Sequence, residues 1–239
     1  ETYPTIILST ITDYDYFINC TIYMPEPVNT DGNHFYLSHS VCKRSLQLPN
    51  VYHLMPKNND NYFKCNILPF ASTKVRTSVP IYVIQGNISS KRRDYSILKA
   101  ILDNYYNYDF KIKILGHGKL DNEFDKHKDK LILKYNLNFI DYHKEFADVY
   151  AIIPLISKSN NSLYYKGKLT SSINYGLAYN LKFIVDNELH KIYNLDNSFI
   201  YEDGNTKSLI HNFRKSLRAF YKNNEVLIST NNEALVNIS

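Results

Sequence analysis

Two clusters of cations stand beside glycine and hydroxyl residues in this chain, and both have the makings of an anion site. The first, Gly86-Asn87-Ile88-Ser89-Ser90-Lys91-Arg92-Arg93, follows the apolar run Ile81-Tyr82-Val83-Ile84-Gln85. Glycine lets backbone approach a ligand closely. Arginine grips phosphate oxygens with a two-pronged fork, and lysine acts as a point charge. A helix over Ser90 to Asn104 would carry these cations in its first turn, where they oppose the helix dipole, and an anionic ligand would resolve that conflict. A solvated basic turn is the plainer alternative.

The second cluster is Lys166-Gly167-Lys168-Leu169-Thr170-Ser171-Ser172, at the start of a helix expected over Thr170 to Tyr179. An ordinary hydroxyl cap with loop lysines and an anion cradle of hydroxyls and backbone amides account for it equally well. A third candidate, Gly116-His117-Gly118 after the run Phe110 to Leu115, allows a tight approach but is also an ordinary turn. The chain has no phosphate-loop motif, no Gly-x-Gly-x-x-Gly, no Gly-x-Ser-x-Gly and no His-Glu-x-x-His. Its eight histidines are not paired at metal-ligand spacing, so no metal and no cofactor is expected. Cys20, Cys42 and Cys65 form neither a disulfide framework nor a zinc knuckle, and read as buried thiols of a reducing compartment.

The elements that must position these clusters change character along the chain. Before a polar seam at Ser72 to Pro80, β-branched and aromatic runs at Thr5 to Thr10, Tyr16 to Tyr23, His34 to Ser38 and Val51 to Leu54 read as strands. After it, strands are expected at Ile81 to Gln85, Phe110 to Leu115, Leu137 to Ile140, Val149 to Leu155, Phe183 to Asp186 and Phe199 to Tyr201. Helical stretches alternate with them at Ser90 to Asn104, Asn122 to Lys134, Tyr142 to Phe146, Thr170 to Tyr179, Glu188 to Tyr193 and Thr206 to Asn223. That rhythm predicts an α/β fold: a Rossmann-like, doubly wound parallel sheet over residues 79–225, with a smaller, shortened N-terminal α/β part over 1–78 and a tail over 226–239. Ligands of such sheets bind at the carboxyl ends of the strands.

With 239 residues, 44% hydrophobic and 21% charged, the chain can bury a core unaided. The 22 Tyr, 12 Phe and absent Trp read as the vocabulary of an AT-rich genome. A net charge of +5 suits an anionic ligand such as a nucleotide. Nucleic acid is not expected as a partner, because the cations gather at loops of one sheet edge instead of along a face with stacking aromatics. No run is long enough for a membrane span, and Glu1-Thr2-Tyr3-Pro4 starts no signal peptide. A cytoplasmic protein is therefore expected, and the missing initiator Met suggests a piece of a longer chain.

The order of these pieces resembles the C-terminal half of GT-B-fold glycosyltransferases, in the large retaining group-one or family-four class. A strand leads to Gly86-Asn87-Ile88-Ser89-Ser90-Lys91-Arg92-Arg93 where that family has Gly-Arg-(Ile/Leu)-x-x-x-Lys-Gly. Gly116-His117-Gly118 follows a second strand, and Ala147-Asp148-Val149-Tyr150-Ala151-Ile152-Ile153-Pro154 matches Ala-Asp-Val-x-(Val/Leu)-x-Pro. Tyr175 to Asp186 keeps the hydrophobic pattern of the family's helix-to-strand segment, and Asn66 to Ala71 resembles its exit from the N-terminal domain. Asn87 stands where the family has its donor-site arginine, and Arg92 falls on its lysine. The paired glutamates are missing, with Gly167 and Tyr175 near their places and Asn174 beside the second.

The resemblance implies transfer of a sugar from a nucleoside diphosphate sugar to a glycan, protein or lipid acceptor, with retained configuration and no metal. Arg92 and Lys168 would stabilise the leaving diphosphate, and His39 is a third catalytic candidate. Gly86, Asn87, Lys91, Arg93, Thr170, Ser171 and Ser172 would hold the diphosphate. Gly116, His117, Asp141, Tyr142, Asn174 and Tyr175 would line the nucleoside. The alternative is a non-catalytic sugar-nucleotide or glycan-binding subunit of the same fold, working with a missing domain or partner.

Overall fold

The computed structural model describes residues 74–166 and 168–223 in full and, as backbone, the rest of the last helix to Val236 and four short strands between residues 17 and 63. It divides into two compact units, residues 1–65 with 163–169, and residues 66–162 with 170–239. In the first unit β1 (Phe17–Ile22), β2 (His34–Ser38), β3 (Val51–Leu54) and β4 (Tyr62–Phe63) pair side by side in that order, all parallel. Three of the four were expected from their aromatic and β-branched content. The expected strand at Thr5 to Thr10, the segment at Asn66 to Ala71, and His39, Cys42, Cys65 and Gly167 lie outside the described residues.

The second unit is built on one six-stranded sheet. Its strands are β5 (Ile81–Asn87), β6 (Lys111–His117), β7 (Leu131–Tyr135), β8 (Ala151–Ile152), β9 (Lys182–Asp186) and β10 (Ser198–Tyr201), in the spatial order β7-β6-β5-β8-β9-β10. Every pairing is parallel. Between β5 and β8 the winding reverses, so the fold is the expected doubly wound α/β sheet, with its topological switch point at the carboxyl ends of those two strands. Ile81 to Gln85 and Ala151 to Ile152 are buried throughout, as central strands covered on both faces must be.

Among the described residues five α-helices flank this sheet: α1 (Tyr95–Tyr105), α2 (Phe139–Lys144), α3 (Ser171–Ala178), α4 (Asn187–Tyr193) and α5 (Thr206–Val236). Helix α1 buries Tyr95, Leu98, Ile101, Leu102 and Tyr105 at helical spacing. Helix α5 does the same with Leu209, Phe213, Leu217 and Phe220. The rings of Tyr82 and Phe213 meet at 4.8 Å, and the Tyr82 hydroxyl reaches Ser216 Oγ at 2.7 Å, which gives this buried phenol its partner. Lys113, buried in mid-strand, is paired with Glu145 at 2.9 Å and Asp148 at 2.6 Å.

Local structure departs from expectation in five places. The helix placed at Ser90 begins at Tyr95, because Asp94 takes the cap position and accepts from Ser96 N at 3.1 Å. The polar stretch after Asp121 is a pair of 3-10 turns, Asn122–Lys130, broken at His127. The third strand is Leu131–Tyr135, paired with β6 from Ile112↔Leu131 to Gly116↔Tyr135, and not Leu137 to Ile140. That later segment is instead the start of α2, where Asn138 accepts from Asp141 N at 2.9 Å. Strand β8 is two residues long, since Pro154 cannot donate to a ladder and Leu155 turns to a φ of 51°. The last helix runs to Val236, beyond the expected Asn223. No helix among the described residues is long and apolar enough to cross a membrane.

Candidate functional site at the carboxyl edge of the sheet

Strands β5 and β6 end side by side, with Gly86 opposite Gly116 and Asn87 opposite His117. A Cβ on Gly116 would stand 1.7 Å from the Gly86 carbonyl oxygen, so only glycine allows this approach. Ile88 N then donates to His117 O at 2.8 Å, and the amides of Arg92 and Arg93 both donate to Ser89 O, at 2.8 and 2.9 Å. The amides of Asn160 and Asn161 hold this turn from the β8 side, through Ser90 O at 3.4 Å and Arg92 O at 3.2 Å. The result is a fixed turn that leaves Lys91 and Arg92 exposed. Neither makes an ion pair among the described residues.

Arg93 does something else. Its side chain is 8% exposed and turns inward to the switch point. Nη1 donates to Pro154 O at 2.6 Å and to Ser172 Oγ at 3.1 Å, Nε donates to Asn87 O at 3.3 Å, and Nη2 donates to Gln85 O. The cause is the short β8: where the two strands diverge, their last carbonyls need other donors, and a guanidinium supplies five in a fixed fork. The sequence placed Arg93 on a diphosphate, but the structure commits its donors to the protein. Gly86, with φ at 113°, makes room for it, since a Cβ there would lie 2.4 Å from Arg93 Nη2.

Helix α3 enters the same corner. Thr170 holds the cap position, yet its hydroxyl makes no capping bond; its amide donates instead to the Tyr193 hydroxyl at 2.9 Å. Ser172 is fully buried, with its hydroxyl 3.1 Å from Gln85 Oε1 and 3.2 Å from Gln85 O. Ser171 is exposed, and the first turn carries no acidic residue. The Tyr142 hydroxyl also bonds the Gln85 side chain, and burial raises this phenol well above its ordinary range. Gln85 is thus the hub joining β5, α2 and α3, and sequence reasoning passed over it. The available signal was a polar side chain closing an apolar strand immediately before glycine.

The nucleoside candidates are spread along this edge. His117 is exposed, with Nδ1 2.8 Å from Asn136 Oδ1. Asp141 has a structural task at the start of α2: Lys144 first, then Asn138, hold its carboxyl below the usual range. Tyr175 stacks on Phe146 with centroids 5.2 Å apart and planes 10° from parallel, while Tyr179 covers the ring of Phe146 at 4.6 Å. Asn174 is buried. Lys168 belongs to the other unit, where its ammonium lies 5.6 Å from the Tyr164 ring centroid. The structure therefore gathers Gly86, Asn87, Lys91, Arg92, Gly116, His117, Ser171, Ser172, Tyr142 and Tyr175 at one edge of one unit. Among the described residues no group of three or more His, Cys, Asp or Glu could hold a metal ion.

Comparison with known proteins gives likeness of structure alone. No family model and no curated protein matches the chain. Among solved structures it is similar to a glycosyltransferase from Rickettsia africae ESF-5, with 13% identity and a TM-score of 0.49 over 77% of this chain and 60% of that one. It is also similar to TarM, with 14% identity and a TM-score of 0.47 over 81% of this chain and 37% of that one. The chain thus spans less than two thirds of either.

Proposed function

We propose that the second unit is the donor-binding domain of a glycosyltransferase that takes a sugar from a nucleoside diphosphate sugar to a glycan, protein or lipid acceptor, with retention and without a metal. The observation that carries this reading is the switch-point edge itself. There the exposed cations Lys91 and Arg92 are held on a turn pinned by Asn160 and Asn161, next to the acid-free start of α3. The order of motifs along the chain supports it. Arg92 and Lys91 meet the diphosphate as fork and point charges respectively, with Ser171 and the first-turn amides of α3 beside it.

In the transfer, the bond from the anomeric carbon to the diphosphate oxygen breaks with its electron pair going to the phosphate. The acceptor oxygen forms the new bond, and its proton passes to the departing phosphate oxygen, which has gained the electron pair. Preorganised cations lower the barrier by stabilising the charge that develops on the leaving group. Lys168, which the order of motifs pairs with Arg92 as a cation for the leaving group, is proposed for the same task.

A second reading, a non-catalytic binder of the same ligand, is favoured by one observation. Tyr175, near the place of the family's second glutamate, is occupied in a stack with Phe146. A sugar-release assay with each nucleoside diphosphate sugar separates the two. Turnover that falls at least tenfold in Arg92→Ala and in Lys168→Ala supports the enzyme, and saturable binding without release supports the binder.

A further inference from the structure

On the sheet face covered by α1 and α5 lies a cavity of about 320 Å³ that the donor reading does not use. Its floor is Tyr201, the last residue of β10, which is 5% exposed. A buried phenol ordinarily finds a partner, as Tyr82 does with Ser216. The Tyr201 hydroxyl has none among the described residues, and the little surface it keeps opens into the cavity. Burial first, then Asp186, Asp203 and Asp94, keep this phenol protonated far above its ordinary range, so it is available only as a neutral donor and acceptor.

The walls carry both kinds of polar group. Asp94 Oδ1 is used by Ser96, and Asp203 Oδ2 accepts from Lys158 N at 3.0 Å, so each carboxylate keeps an oxygen without a partner among the described residues. The Ser157 hydroxyl and Thr206 complete the polar rim, while Ile97 and Leu209 supply an apolar wall. The starts of α1 and α5 also face the cavity, and their partial positive charge partly offsets the two carboxylates. The pocket therefore keeps only about one net negative charge, since each helix start offsets roughly half a carboxylate, and acceptors and donors alternate around its apolar patch.

We infer that this cavity, floored by Tyr201 and rimmed by Asp94, Asp203 and Ser157, binds a neutral polyhydroxylated ring of the sugar class. Such a ring presents hydroxyls that donate to carboxylates and accept from phenol or serine, and a C–H face that packs on Ile97 and Leu209. The volume lies at the lower end of ligand pockets, which span roughly 300–1,000 Å³, and so fits one ring. A cation would need more carboxylate than two half-used side chains at helix starts supply. The inference is independent of the donor reading, since no residue of the turn at Lys91 and Arg92 takes part.

The test is a titration of the full chain with the methyl glycosides of glucose, galactose and mannose and with N-acetylglucosamine, followed by saturation-transfer NMR and calorimetry. Saturable binding of at least one sugar is expected. Tyr201→Phe should weaken it at least fivefold and Asp203→Asn should weaken it similarly. Both variants should keep the parent melting temperature within a few degrees and its response to nucleoside diphosphates. A lack of saturable binding by every sugar overturns the inference, as does binding indifferent to both substitutions. Uptake of calcium or butylammonium at this cavity in place of sugar would also overturn it.

Discussion

The guanidinium of Arg93 and the hydroxyl of Ser172 meet at 3.1 Å in the interior, joining the loop after β5 to the first turn of α3 across 79 residues of chain. The same guanidinium holds carbonyls at the ends of β5 and β8, so one side chain closes the switch point from three directions. Removing it leaves several buried acceptors unsatisfied. Arg93→Ala should therefore lower stability by about 2–4 kcal/mol, and Arg93→Lys should restore little, because an ammonium cannot span the fork. The neighbouring Arg92→Ala should stay within about 0.5 kcal/mol of the parent. Urea unfolding of the three variants measures this directly. Equal losses at positions 92 and 93 would contradict it.

Two glycines set how closely the layers approach. A Cβ on Gly176 would lie 2.3 Å from the Phe183 ring and 2.8 Å from Ile152 Cγ2, so α3 sits against β8 and β9 only because that methyl is missing. Gly176→Ala should cost about 1–3 kcal/mol as overpacking. Gly116→Ala meets backbone, the Gly86 carbonyl, which cannot rotate away, and its midpoint in denaturant should fall further than that of Gly176→Ala. The reverse order would mean that the β5–β6 ends part more easily than the helix lifts.

Much of this architecture could be read from periodicity, and the failures have local causes. The strand Ile81–Asn87 and the helix Ser171–Ala178 announced themselves through unbroken apolar content and a hydroxyl start. Leu131–Tyr135 was masked by its lysine and by the polar turns before it, and became a strand through its ladder with β6. The basic triplet could be seen as three cations but not as two roles. Whether Arg93 faces water or the interior depends on carbonyls contributed by Pro154, 61 residues away, and no spacing rule in a single chain records that. Gln85 escaped notice for the same reason: its partners Ser172 and Tyr142 come from other elements.

The aromatic corner between α2 and α3 should titrate. His143 is almost fully buried among Phe139, Tyr175 and Tyr179, and its Nδ1 bonds the Tyr179 hydroxyl. Burial lowers its pKa from the ordinary 6.5. With a depressed folded value, the unfolded chain takes up the proton first. The stabilisation from neutral His143 is thus complete above about pH 6.5 and is lost as pH falls through the folded value. Melting temperatures between pH 8 and pH 5 should show this fall in the parent, and His143→Gln, which cannot titrate, should give a flatter curve. Identical slopes would assign the acid sensitivity to other groups.

The central claim is that the edge carrying Lys91, Arg92 and the start of α3 receives a nucleoside diphosphate. The measurement that meets it most directly is a thermal-shift and calorimetric titration with UDP, GDP, ADP and TDP, for the parent and for the Lys91→Ala/Arg92→Ala double variant. A ligand that binds only the folded state raises the melting temperature by mass action. One nucleotide should raise it in the parent without added metal. In the double variant its affinity should drop at least about tenfold, the loss expected for one charge-assisted contact or more, with the unliganded melting temperature unchanged. No shift with any of the four, or a shift that survives loss of both cations, would contradict the account.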